Sequence, residues 1–151
     1  MNYRHPRAQR LKVVLDLTER EEQDALQRWG DVQKKLAGEQ EKRQQLKNYA
    51  SDYQRQLSAP GKALIRAGDM HNTLGFIRQI ESALRQQEAQ IAQLEVMTAK
   101  ARGAYLQAHG KTEALKNMMQ RLEDEHALEV SRREQREADE WATRQSSQRN
   151  R

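Results

Sequence analysis

The sequence predicts an all-α fold, a long two-helix antiparallel coiled-coil hairpin whose C-terminal helix overhangs its partner. Three observations carry this reading. Of 151 residues only 36% are apolar while 32% are charged, so a compact globular core is out of reach and the apolar residues must be lined up efficiently to offset the entropy of ordering the chain. Two long stretches line them up at alternating steps of three and four. Between them lies one dense cluster of turn residues, and a short connection makes the nearest partner for each arm the other arm.

Helix 1 is expected over about residues 8–57. One register runs unbroken through Leu11, Leu15, Thr18, Glu22, Ala25, Trp29, Val32, Leu36, Glu39, Arg43, Leu46, Ala50, Tyr53 and Leu57. Ten of these fourteen positions are apolar, which scattered hydrophobicity does not produce over seven heptads. A connecting loop is expected over about 58–72, from Ser58-Ala59-Pro60-Gly61 through Gly68-Asp69 to His71-Asn72-Thr73. It reads as holding one short helix with Pro60 at its first position and Gly68 ending it. Helix 2 is expected over about 73–144. Its seam runs through Ile77, Ile80, Leu84, Gln87, Ile91, Leu94, Thr98, Ala101, Tyr105, Ala108, Thr112, Leu115, Met119, Leu122 and His126, eleven of the fifteen apolar.

A 3.5-residue apolar period winds a helix left-handed around its partner so that the seam stays buried. Paired outward from the turn, the seams set Leu57 against Ile77, Tyr53 against Ile80, Trp29 against Tyr105 and Leu15 against Met119. The Trp29 layer needs space for an indole opposite a phenol, and Gly30 and Gly103 beside it are expected to supply it. The arms are unequal. Helix 1 finishes its register at Leu11 against Leu122, which leaves roughly twenty residues of helix 2 unpartnered, an overhang on the order of 30 Å. It carries Leu128, Val130 and Trp141 and is marginal as an isolated helix in water. Residues 145–151, polar and basic, are expected to be disordered. The whole of 1–151 reads as a single coiled-coil domain.

Composition also bounds the chemistry. There is no cysteine, hence no disulfide framework or thiolate nucleophile. No apolar run is long enough to span a bilayer and no signal peptide opens the chain, so a cytoplasmic location is expected. The net charge of +5 comes from 27 basic and 22 acidic residues mixed along the chain, the pattern of a solvated helix surface, and no nucleic acid is expected as a partner. The run Glu123-Asp124-Glu125-His126 contains one Glu-x-x-His spacing, which serves di-metal sites only when matching carboxylates come from facing helices. It reads as a solvated face, and no metal, cofactor or small-molecule substrate is implied. The four histidines share no ligand spacing, and neither a phosphate-binding glycine loop nor a nucleophile motif occurs. The chain is expected not to be an enzyme.

The aromatic residues say more. Tyr49, Tyr53 and Phe76 fall near the turn with Leu46, Ile80 and Ala83, and Tyr49 and Phe76 lie beside the seam. Two readings stand: they widen the local core and shield the end of the hairpin, or they form a docking patch for a partner. Trp141, set among the charges from Arg132 to Glu140, belongs to a helix stabilised by opposite-charge pairs, and an indole there has no purpose unless it docks.

Taken together, Leu46-x-x-Tyr49-x-x-x-Tyr53-x-x-x-Leu57, a glycine-containing loop, Phe76-Ile77-x-x-Ile80-x-x-Ala83 and a charged helix ending in Arg133-x-Gln135-x-x-x-Asp139-Glu140 before an aromatic resemble the FliJ family of flagellar type III export proteins, over nearly the whole chain. The resemblance implies a cytoplasmic protein, peripherally associated with the export apparatus at the inner membrane. It would sit at the centre of the export ATPase ring as a stalk does, contact the cytoplasmic part of the membrane export gate and escort export chaperones. It carries a partner-binding role onto Leu46, Tyr49, Tyr53, Phe76, Ile80 and Ala83, while Lys42 and Gln87 depart from the pattern. Trp141 is the partner-binding candidate on the overhang. Other classes fit the same fold: the equivalent coiled-coil protein or chaperone of a virulence-type secretion system, a basic nucleic-acid-binding coiled coil, and an oligomeric scaffold whose seam is satisfied between chains.

Overall fold

A computed structural model describes residues 2–58 and 67–150. Two helices account for nearly all of them: α1, Pro6–Ser58, and α2, Ala67–Arg149. They pack antiparallel as an all-α hairpin. The heptad pattern locates the interface closely, because all fourteen expected seam positions on α1 and all fifteen on α2 are buried or half-buried. The register extends one step further back on α1 to Ala8, which is fully buried; on α2 the next step, Glu129, is exposed, and coverage ends at the half-buried Val130.

The described chain divides into two compact units. One joins α1 through Asp24 to α2 from Leu106 onward. Its core holds Ala8, Leu15, Thr112 and Met119, with Met119 and Thr112 completely enclosed; the Thr112 hydroxyl donates to the Ala108 carbonyl at 3.1 Å, so burying it leaves no orphan donor. The other unit runs from Ala25 to Tyr105 around Ala25, Ile77 and Ile91. Here Trp29 faces Tyr105 as the register predicts, the rings stacked with centroids 5.6 Å apart and planes 26° apart. The indole N–H of Trp29 is buried without an acceptor. Neither flanking glycine is there to make room: a Cβ added at Gly30 or Gly103 would meet nothing within 4 Å.

The helix ends depart from expectation. Pro6 opens α1 at its first helical position, where the missing N–H costs nothing. The cap before it is His5, whose Nδ1 accepts from the Arg7 amide at 3.0 Å while its carbonyl accepts from the Gln9 amide at 3.0 Å. Helix α2 is already formed at Ala67, so Gly68, expected to end a short separate helix, lies in its first turn with Asp69, whose charge suits a helix N-terminus. Pro60 and the rest of the expected loop between Ala59 and Arg66 lie outside the described residues. At the other end α2 continues through 145–149, expected to be disordered, as the Thr143 hydroxyl bonds back to the Asp139 carbonyl and Arg144 pairs with Glu140.

Candidate partner-binding surfaces

Near the loop-proximal end of the hairpin the two helices bring together Leu46, Tyr49 and Tyr53 from α1 and Phe76, Ile80 and Ala83 from α2. Tyr53 and Phe76 stack almost face to face, centroids 6.1 Å apart and planes 5° apart. Leu46, Tyr53, Ile80 and Ala83 are half-buried, whereas Tyr49 and Phe76 remain 58% and 54% exposed. Tyr53 and one face of Phe76 close the seam above buried Ile77, while Tyr49 and the outer part of Phe76 are presented to solvent. Met70 and Leu74 add exposed apolar surface to the same end, 43% and 42% accessible. Stepping the α2 register back from Ile77 by seven places Met70 in it, within the expected loop, while Leu74 lies at the start of the expected helix 2 beside that register.

Lys42 and Gln87, the two departures from the family pattern, converge on one carboxylate. The Lys42 ammonium lies 3.3 Å from Glu39 Oε1, and the Gln87 side-chain amide donates both to the other Glu39 oxygen and to the Glu39 backbone carbonyl at 3.1 Å. Next to them Arg43 reaches Glu88 at 3.3 Å. Polar groups at seam positions that satisfy one another across two helices fix one register against its neighbours. The half-buried Glu39 anchors this layer, a role that its position alone did not disclose.

Of the acidic run on α2, Asp124 and Glu125 form the expected solvated face, while Glu123 and His126 are half-buried. Glu123 accepts from the His5 amide at 3.1 Å, and the His5 and His126 rings meet edge to face with centroids 5.7 Å apart. These contacts hold the start of α1 against α2. Among the described residues no group of three or more His, Asp or Glu is arranged to hold a metal ion. An open hollow of about 700 Å³ beside Glu19, Glu22, His109, Glu113 and Lys116 is lined by groups that bind one another. Glu22 lies 2.5 Å from His109 Nδ1, and Lys116 is shared between Glu19 and Glu113 at 3.9 and 3.7 Å.

Beyond Val130 every described residue is exposed. Trp141, with 64% of its surface accessible, sits on this uncovered stretch, in sequence between the paired Glu140 and Arg144. Trp141 belongs to the unit that includes α2 from Leu106 onward, and the six residues near the loop belong to the unit from Ala25 to Tyr105. No helix among the described residues is long and apolar enough to cross a membrane.

A hairpin of this kind, with exposed aromatics near the loop and an uncovered charged stretch of α2, defines an all-α coiled-coil protein. The chain belongs to the FliJ family: the family model described as the flagellar FliJ protein matches residues 7–151. Membership assigns it a role connected with flagellar export. No curated protein and no solved structure is matched by the chain.

Proposed function

We propose that the protein is a stalk-like ligand of the flagellar export ATPase ring that also contacts the cytoplasmic part of the export gate and escorts export chaperones. The observation that carries this reading is the uncovered stretch of α2 after Val130, all of it exposed and holding Trp141. A single helix of some twenty residues gains little from propensity alone and takes its stability from what packs on it. Inserted into the central hole of a ring, it would bury the Trp141 indole and exchange solvated charge pairs for pairs with the ring. The loop-proximal patch is the gate-binding surface in this scheme. Tyr49 and Phe76 are the anchors, being large, rigid and exposed on a fixed backbone, and Leu46, Tyr53, Ile80 and Ala83 support them. The protein acts at the inner membrane through these contacts rather than by spanning it.

ATP hydrolysis by the purified cognate ATPase, with and without this protein, tests the proposal. The full chain stimulates hydrolysis, a chain ending at Val130 does not, and a Tyr49→Ala, Phe76→Ala variant stimulates normally while losing affinity for the gate. Stimulation that survives truncation at Val130 contradicts the assignment of the ring contact.

A further inference from the structure

The start of α1 breaks two local rules at the same place. A helix N-terminus carries a positive partial charge and is stabilised by carboxylates, yet the first turn of α1 contains none of its own, and the carboxylate that meets this end is Glu123 of α2, on the His5 amide. Arg4, Arg7, Arg10 and Lys12 all precede Asp16, the first acidic residue of the chain. Lys12 is occupied: it bonds Asp16 at 2.8 Å, a contact that raises the ammonium above the usual lysine value. Arg4, Arg7 and Arg10 are exposed, and none has an ion-pair partner among the described residues. The second broken rule is hydrophobic. Val13, Val14 and Leu17 are 74%, 45% and 56% exposed in a chain with few apolar residues to spare. Arg7, Arg10, Val14 and Leu17 follow one another at steps of three, four and three, which sets them on one face of the helix, with Val13 beside them. Exposed arginines without ion pairs and exposed apolar side chains on one helix face together mark a surface made for something else.

We infer that this face of α1 binds the surface of an anionic lipid bilayer. Guanidinium groups pair with lipid phosphates, and Val13, Val14 and Leu17 enter the boundary between headgroups and acyl chains. The face is the convex outside of one helix, without a groove to seat a peptide, and a flat sheet of mobile phosphates fits it better than a helical partner does. Charge makes the contact one-sided, because Asp124 and Glu125 are exposed on α2 within the same unit and keep that helix away from an anionic surface. This goes beyond the stalk reading and does not depend on it.

Co-sedimentation of the full chain with vesicles at physiological salt, with no ATPase present, tests the inference. The protein pellets with equimolar phosphatidylcholine and phosphatidylglycerol and stays in solution with phosphatidylcholine alone. The paired variants Arg7→Glu with Arg10→Glu, and Val13→Ser with Leu17→Ser, each lower partitioning by about tenfold or more. Arg132→Glu with Arg133→Glu, the same change in net charge on the uncovered helix, leaves partitioning within about twofold. All of these positions lie outside the seam, and unchanged helical circular dichroism verifies that the fold is kept. Failure of the full chain to bind the anionic vesicles overturns the inference, as does an equal loss in the Arg132, Arg133 control. Binding of poly-glutamate to the same face without vesicle binding also overturns it, in favour of an acidic protein.

Discussion

Gly30 and Gly103 illustrate how far a residue can be read from its neighbours in sequence. Both flank the Trp29–Tyr105 layer, and the volume of two stacked rings suggested that the glycines make room for them. The stack forms with open space at both glycines, so their cost in helix propensity is not offset by packing. Replacing each with Ala is expected to raise stability by about 1 kcal/mol, read as a higher midpoint in urea unfolding followed by circular dichroism. A lower midpoint would mean that the backbone there needs the freedom. His5 was missed for a different reason. Histidine is outside the usual set of N-cap residues, and its cap depends on Glu123 and His126, more than a hundred positions away in the chain. Glu39 was legible as a seam position but not as the anchor of Lys42 and Gln87, because side-chain pairing across helices follows geometry that periodicity does not encode.

At the scale of the helices the heptad pattern was sufficient. Every expected seam position is covered, polar ones included, since a register sustained over seven heptads leaves each residue only one azimuth on its helix. Ends were less legible. Turn residues such as Gly68 and Asn72 argue locally for a loop, yet α2 includes them from Ala67 onward, because a helix already packed along its length tolerates poor formers in its first turns. The uncovered stretch of α2 contributes no seam. A chain ending at Val130 is therefore expected to unfold within about 0.5 kcal/mol of the full chain. A chain ending at Leu122 loses the contacts of Glu123 and His126 with His5, and with them the capped start of α1, a loss of about 1 kcal/mol or more. Equal stabilities for the two truncations would show that the start of α1 is not held by these contacts.

For the molecule as a whole, the hairpin and the family were legible because both rest on patterns that span the chain: the twin seams, and the ordered tyrosines, Phe76-Ile77 and Asp139-Glu140-Trp141. The candidate surfaces were legible only in part. Tyr49, Phe76 and Trp141 stand out as exposed aromatics among charges, whereas the α1 strip from Arg7 to Leu17 looks in sequence like an ordinary alternation of basic and apolar residues and shows itself only through exposure. The proposed role makes one physical demand, that the uncovered helix exchanges water for a partner's surface. Backbone hydrogen exchange over residues 131–149, measured on the protein alone and with its cognate export ATPase, tests that demand most directly. The account predicts fast exchange in the free protein, where nothing packs on this stretch, and slowing by about a hundredfold or more in the complex as local opening is suppressed. Unchanged exchange in this segment, in a complex that is shown to form, would contradict it.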